Sequence, residues 1–381
     1  MQKSKLRVAF FGDDFSRRGR GTALFFQKMA QEIVEHHSDQ FDVVLLRPAG
    51  ACRSPICDRV AHIIIPRRFS TMLSYLWFFI THRTKYDAVV FNRVVYPGFF
   101  FLNAKKSVLF AYDASISEVF TVPRTRANRV FEYVLRFSQY FLDVVVGVSD
   151  DASRWIARYY KIPESKVHTI YPAAGDEYGP LDEELRQRSR IKLMEKYHIA
   201  SPYILAVARF DPHKNVERTL DAFFELKRGV GASHHLALVG GAHTPEYSRM
   251  IEQKIASSPF QGDIHVLSYV ASDDMPALYA CADVLVYPSL VEGFGLPPVE
   301  AMKSGTPVVT SNISCLPEIV QGAALLVDPL DAHAIAAGVG KVLQDTSLRN
   351  ELIKKGFERA SDFSWRTSAD ALLRLIDSAE Q

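Results

Sequence analysis

Arg209 and Lys214 flank the loop Arg209-Phe210-Asp211-Pro212-His213-Lys214-Asn215, which follows the apolar run Tyr203–Ala208 and precedes a helical pattern opening near Val216. One cation at a strand end and another near a helix N-terminus make a clamp for a diphosphate. The helix end adds N–H donors and the positive end of its dipole. Taken alone, the same loop is also an ordinary solvated basic turn. Further on, the segment Tyr287 to Met302 carries Glu292 in a glycine-bearing loop and Glu300, expected in the first turn of a helix that opens with prolines. A carboxylate there accepts two sugar or ribose hydroxyls, and loop N–H groups face a phosphate oxygen. The plainer reading makes Glu300 a dipole partner and Glu292 a surface charge. Two weaker signals accompany these. Gly240-Gly241 after a strand allows close backbone approach to something bound, and Ser268 to Asp273 reads mostly as a helix cap.

These residues matter because of the elements that precede them. Runs apolar at nearly every position predict strands buried on both faces. In the first half they are Leu6–Gly12, Asp42–Arg47, Asp87–Asn92, Ser107–Tyr112, Asp143–Val148 and Val167–Tyr171. In the second half they are Tyr203–Ala208, Leu236–Gly240, Ile264–Leu267, Asp283–Tyr287, Pro307–Thr310 and Ala324–Val327. Helical patterns separate them, such as Thr22–Val34, so the sheets are parallel. So many strands exceed one doubly wound sheet, and the class expected is α/β with two Rossmann-like domains. The break falls near Pro180, which gives domains 1–180 and 181–365, with a last helix in 366–381 returning to the first. Ligands of such sheets lie beyond the carboxyl ends of the strands, where the residues named above occur.

The chain has 381 residues, 48% hydrophobic and 23% charged, which excludes disordered and fibrous classes. The longest apolar stretch, Phe69–His82, lies between Arg68 and Arg83 and is too short to span a bilayer. Net charge is +2 overall, but residues 1–180 carry +8 and residues 181–381 carry −6. That asymmetry suggests an anionic partner for the first half, or simple drift between domains. Cys52, Cys57, Cys281 and Cys315 form no zinc pattern and are too few for a disulfide framework. The apolar Val8–Phe11 stops at Gly12-Asp13-Asp14, unlike a secretory signal, so a cytoplasmic location is expected.

The run Val207 to Asn215, followed by Glu292-x7-Glu300, Gly305-Thr306-Pro307-Val308-Val309, Leu316-Pro317-Glu318-Ile319-Val320 and Ala324 to Pro329, resembles the retaining GT-B glycosyltransferases of family 4. The likeness is dense from Ser201 to Trp365 and thin before that, and its C-terminal pattern is most like bacterial surface-polysaccharide mannosyltransferases. It implies two domains facing across a cleft, with transfer of a hexose from a nucleotide sugar and GDP-mannose as the donor. The acceptor it implies is a saccharide or lipid-linked saccharide. In that likeness Arg209 and Lys214 hold the donor diphosphate, Glu292 meets the transferred sugar and Glu300 the ribose. Phe294, Gly295 and Leu296 line sugar and phosphate, Val270 lies against the base, and Gly19 or Gly21 approaches the diphosphate. Where the family often has His-Asp, this chain has Tyr112-Asp113. Asp113 is therefore either a site residue near the sugar or the cap of a turn, and Tyr112 is the weaker candidate.

The chain has no Asp-x-Asp triplet for a diphosphate-bound Mg²⁺, so metal-independent transfer without a cofactor is expected. On the acceptor side, Arg67-Arg68-Phe69 through Phe79-Ile80 with Arg83, and Val94–Leu102, are either buried helices or a peripheral seat on anionic membrane. No nucleic-acid partner is expected. Three other functions compete. A GT-B sugar-nucleotide epimerase would need acid and base residues in the cleft. An NAD-dependent oxidoreductase would need G-x-G-x-x-G where Asp13-Asp14-Phe15-Ser16 stands. An inactive binding module fits poorly with Arg209, Lys214, Glu292 and Glu300 all present.

Overall fold

A computed structural model describes residues 5–11, 21–48, 56–66, 77–78, 80–82, 84–91, 104–111, 140–229 and 233–377, without the side chains of 21–23. The chain divides into two compact units, Met1–Pro172 with Ser364–Gln381, and Ala173–Phe363.

The first unit is built on a parallel sheet of β1 (Leu6–Phe11), β2 (Phe41–Pro48), β3 (Ala61–Ile65), β4 (Tyr86–Phe91), β5 (Ala104–Ala111), β6 (Val144–Gly147) and β7 (Val167–Thr169). Its order is β3-β2-β1-β4-β5-β6-β7. The near-continuous apolar runs are buried as parallel strands require, with all four residues of β6 buried. Its helices include α1 (Gly21–His36) and α2 (Asp150–Tyr160). The latter starts where the Ser149 hydroxyl accepts the Ala152 N–H at 3.0 Å. β3 was not foreseen. It is a sheet-edge strand with Ile64 43% exposed, and its brief His62-Ile63-Ile64-Ile65 run has no helix-spaced flank to mark it. Cys57 is in a disulfide, while Cys281 and Cys315 in the other unit are buried free thiols.

The second unit opens with α3 (Glu183–Tyr197), capped by Asp182, whose carboxylate accepts the Leu185 N–H at 2.8 Å. Then come β8 (Tyr203–Phe210), α4 (Val216–Lys227), β9 (His235–Ala242), α5 (Pro245–Ala256), β10 (Ile264–Leu267) and α6 (Met275–Ala280). They are followed by β11 (Val284–Tyr287), α7 (Leu296–Lys303), β12 (Val308–Ser311), α8 (Leu316–Val320), β13 (Leu325–Val327), α9 (Ala332–Gln344) and α10 (Thr346–Ser361). The sheet is parallel in the order β10-β9-β8-β11-β12-β13. Strand order therefore reverses between β8 and β11, the place where a doubly wound sheet opens a crevice at its carboxyl edge.

Two sequence expectations need correction here. β8 and β9 each run two residues further than their apolar runs, because Arg209 pairs with Gly241 and Phe210 with Ala242. Arg209 thus lies within a strand rather than after it. The Gly240-Gly241 pair serves this strand pairing. A Cβ on Gly240, whose φ is +140°, would stand 2.3 Å from the Ala208 carbonyl oxygen.

The last helix, α11, spans Trp365–Asp377, starting one residue before the expected 366–381 range. It buries Trp365, Ala369, Leu372, Leu373 and Ile376 in the first unit. Trp365 meets Phe25 of α1 edge to face at 5.4 Å, His37 approaches Asp370 at 2.8 Å, and Lys106 donates to the Leu375 carbonyl.

Candidate active site

The β8–α4 connection is a single tight turn. Asp211 is extended, Pro212–Lys214 forms a 3₁₀ turn, and Asn215 takes the left-handed conformation with φ of +57°, which asparagine tolerates better than most residues. The Asn215 amide donates to the carbonyls of Pro288, at 2.9 Å, and Pro329, at 2.7 Å. It thereby ties the turn after β8 to the segments after β11 and β13. The Leu290 N–H adds a bond to the His213 carbonyl at 2.8 Å.

The β11–α7 loop is fixed as firmly. The Thr310 hydroxyl donates to the Tyr287 carbonyl at 2.7 Å, and Ser311 donates to that of Ser289 at 2.6 Å. The Glu292 N–H donates to the Ser314 hydroxyl at 3.2 Å. Gly295 closes the loop at φ +90°, where a Cβ would come within 2.9 Å of Leu316.

Together these loops bring Lys214, Tyr287 and Glu292 into contact. Lys214 Nζ donates to Glu292 Oε1 at 2.6 Å and to the Tyr287 hydroxyl at 3.0 Å, and that hydroxyl donates to the same Oε1 at 2.7 Å. All three are largely buried, Glu292 to 8% exposure and Tyr287 to 2%. Burial pushes the Glu292 carboxyl up, but the Lys214 charge and the Lys214, Tyr287 and Ser289 hydrogen bonds outweigh it and hold the group below its usual range. Burial likewise pushes the Lys214 ammonium down, and Glu292 with Tyr287 more than reverses this. The pair is ionised at neutral pH.

A second cation–carboxylate pair lies at the ends of β8 and β9. Arg209 is exposed and approaches Asp211 Oδ2 at 3.1 Å and His243 Nε2 at 3.4 Å. Asp211 Oδ1 takes His243 Nδ1 at 2.7 Å and the Thr244 hydroxyl at 2.8 Å. Burial raises the Asp211 carboxyl, but the Thr244 and His243 bonds and the Arg209 charge bring it below the carboxylate range.

Glu300 lies in the second turn of α7, not the first, because the helix begins only at Leu296. The Tyr279 hydroxyl, fully buried, donates to Glu300 Oε2 at 2.6 Å, and Tyr178 is a further donor to the carboxylate. Burial pushes this carboxyl up to about 7, against the pull of those two donors.

The remaining candidates are more dispersed. Val270 is buried in the stretch after β10, beside Tyr269 at 79% exposure. The cap expected in this stretch does not form: Ala271 is the N-cap of a 3₁₀ turn without a side-chain bond. The next residue after that stretch, Asp274, is buried between Lys192 at 2.5 Å and Lys196 at 2.6 Å. Phe294 is buried against Phe363 at 5.3 Å, Gly295 precedes α7, and Leu296 is its first residue. Gly21 begins α1, while Gly19, Tyr112, Asp113, Arg67, Arg68 and Val94–Leu102 lie outside the described residues. From the 67–83 segment, Phe78 is buried in the first unit and Ile80 is 61% exposed. No helix among the described residues is long and apolar enough to cross a membrane.

Sequence reasoning missed Tyr287, His243, Asp211 and Tyr279 as parts of these clusters. Tyr287 and Asp211 stood inside the quoted motifs but read as a strand end and a turn residue. His243 and Tyr279 carried no local signal.

Residues 189–359 match the family of glycosyl transferases group 1. The chain is similar to O-antigen chain mannosyltransferase B of Escherichia coli, 33% identical over 265 residues covering 68% of this chain and 67% of that one. It is 28% identical over 243 residues to the serotype-specific mannosyltransferase WbdA of Escherichia coli, covering 63% of this chain but only 30% of WbdA. In structure it is similar to HepE of Anabaena in complex with UDP and glucose. The TM-score is 0.79 over 98% of this chain and 100% of that one, at 19% identity. With its two parallel-sheet units, the fold is GT-B.

Proposed function

Because the chain belongs to the group 1 glycosyl transferases, we propose that it transfers mannose from GDP-mannose, with retention of anomeric configuration, to a saccharide or lipid-linked saccharide acceptor in cell-surface polysaccharide assembly. The likeness to O-antigen chain mannosyltransferase B supports the sugar and the setting. The observation that carries the chemistry is the Lys214–Tyr287–Glu292 cluster at the switch between β8 and β11.

In this reading the bond from the sugar's anomeric carbon to the diphosphate oxygen breaks, and the leaving diphosphate gains negative charge. Lys214 and Arg209 stabilise that charge electrostatically, the term that usually contributes most to such a barrier. The acceptor hydroxyl adds to the anomeric carbon on the face the diphosphate leaves, and its proton passes to the departing phosphate oxygen. Glu292 holds hydroxyls of the transferred sugar, and Glu300 those of the ribose. Val270 packs on the base, Phe294, Gly295 and Leu296 present the backbone to sugar and phosphate, and Gly21 and Asp113 are the first unit's candidates for contacting the donor. Transfer is metal-independent, and the protein contacts anionic membrane peripherally to reach a lipid-linked acceptor.

The test supplies GDP-mannose, UDP-glucose and UDP-galactose separately, with and without a divalent-ion chelator, and measures released nucleoside diphosphate. Proton NMR of the product assigns its anomeric configuration. Turnover of GDP-mannose alone, unchanged by chelator and giving the α-anomer, is expected. Turnover of only a UDP-sugar, or an inverted product, overturns the donor or the stereochemistry.

A further inference from the structure

Tyr287 is the last residue of β11, and its hydroxyl sits between two charges. It accepts from Lys214 Nζ at 3.0 Å and donates to Glu292 Oε1 at 2.7 Å, the oxygen that Lys214 also contacts at 2.6 Å. The Glu292 carboxylate is buried, and a buried charge deprived of its partner is strongly destabilising. Lys214 therefore has two demands on one ammonium: it neutralises Glu292 in the free protein, and it meets a diphosphate when the donor binds.

We propose that Tyr287 is a positioning residue that keeps Glu292 partnered while Lys214 turns toward the donor diphosphate. A phenol hydroxyl both accepts and donates, so it can hold the carboxylate through its O–H after the ammonium has moved. An ammonium carries three N–H donors, so Lys214 can keep its bond to Tyr287 while redirecting another to phosphate. Tyr287 thus lowers the cost of taking Lys214 away from Glu292. The inference rests on the preceding assignment of Lys214 to the diphosphate.

The test uses inorganic pyrophosphate as a probe independent of the base, with binding measured by calorimetry on the full chain. Tyr287→Phe keeps the buried ring and the Lys214–Glu292 contact, and should stay folded with a modestly lowered melting temperature. It should nonetheless bind pyrophosphate roughly tenfold more weakly, since moving Lys214 then strips a buried carboxylate of its remaining charged partner. Lys214→Met should abolish binding. In a Glu292→Gln background the charge that needs a partner is gone, so adding Tyr287→Phe should change affinity little. A purely structural tyrosine would weaken binding equally in both backgrounds, and that result overturns the proposal. Wild-type affinity in Tyr287→Phe, with loss in Lys214→Met, also overturns it and leaves the Lys214 assignment standing. Wild-type affinity in Lys214→Met, or no binding by the wild type, refutes the diphosphate assignment and the inference with it.

Discussion

Lys214 Nζ lies 2.6 Å from Glu292 Oε1, so the cation assigned to the donor diphosphate and the carboxylate assigned to its sugar neutralise each other before either meets a ligand. Arg209 and Asp211 form a looser counterpart at 3.1 Å, in which the cation is exposed and the buried carboxylate also takes bonds from His243 and Thr244. The two pairs differ mainly in the exposure of the cation, and their variants should differ accordingly.

Lys214→Met leaves the Glu292 charge buried and unpaired, and should cost about 3 kcal/mol of stability as well as abolishing transfer. Arg209→Ala removes an exposed cation from a carboxylate that keeps its His243 and Thr244 bonds, and should change stability by about 1 kcal/mol. It should still lower kcat about 100-fold, the usual scale for losing one charge-stabilising donor. Urea unfolding and turnover assays on both variants check this, and equal stability losses would contradict the difference between the two cations.

The Glu300 carboxyl predicts a pH dependence of the opposite sense to most carboxylates. Burial raises its pKa to about 7 in the folded protein, from the 4.5 usual for a glutamate. Between those values the folded state binds more protons than the unfolded one, so this group's contribution falls as pH rises from 4.5 through 7. Glu300→Gln removes the dependence. Relative to the wild type, the variant should be more stable at pH 8 than at pH 5, by on the order of 2 kcal/mol. Denaturation midpoints of both proteins across this range measure it, and parallel curves would refute the shift.

Asn215→Ala removes two buried hydrogen bonds, to the Pro288 and Pro329 carbonyls, and places alanine at φ +57°. A loss of about 3 kcal/mol is expected from the two stranded acceptors and the backbone strain. Asn215→Gly relieves the strain alone and should recover only part of it. Full recovery in glycine would mean that the amide bonds contribute nothing.

Gly240→Ala forces a Cβ to within 2.3 Å of the Ala208 carbonyl oxygen, at the φ of +140° that alanine rarely adopts. The obstacle is backbone in a central strand pair, so no rotamer change relieves it. A loss of several kcal/mol is expected, with little soluble protein recovered. Wild-type melting of this variant would show that β8 and β9 can separate locally.

Truncation after Phe363 removes α11 and uncovers the α1 surface that Trp365 packs on through Phe25. The remaining chain should bind an apolar dye and melt at lower temperature, because large buried apolar side chains are lost together. An unchanged melting temperature and no dye binding would show that α11 adds nothing to the first unit.

Much of this was legible in the residues themselves. Strands buried on both faces must be apolar at nearly every position, so β1, β2, β8, β11 and β12 announce themselves, and the loops after β8 and β11 stand out by their charge and glycine. β3 stayed hidden because an edge strand is short and half exposed, and Glu300 was placed a turn too early because prolines mark a helix start only approximately. What residue types and spacing could not supply is strand order. Lys214 and Glu292 are 78 positions apart and meet only because β8 and β11 are neighbours at the point where the sheet reverses. The same adjacency places the Tyr287 hydroxyl between them, and the β8–β9 pairing brings His243 to Asp211. An apolar run encodes burial, but not which strand lies beside it. The motifs therefore specified which residues are available for chemistry, and tertiary packing decided which of them touch.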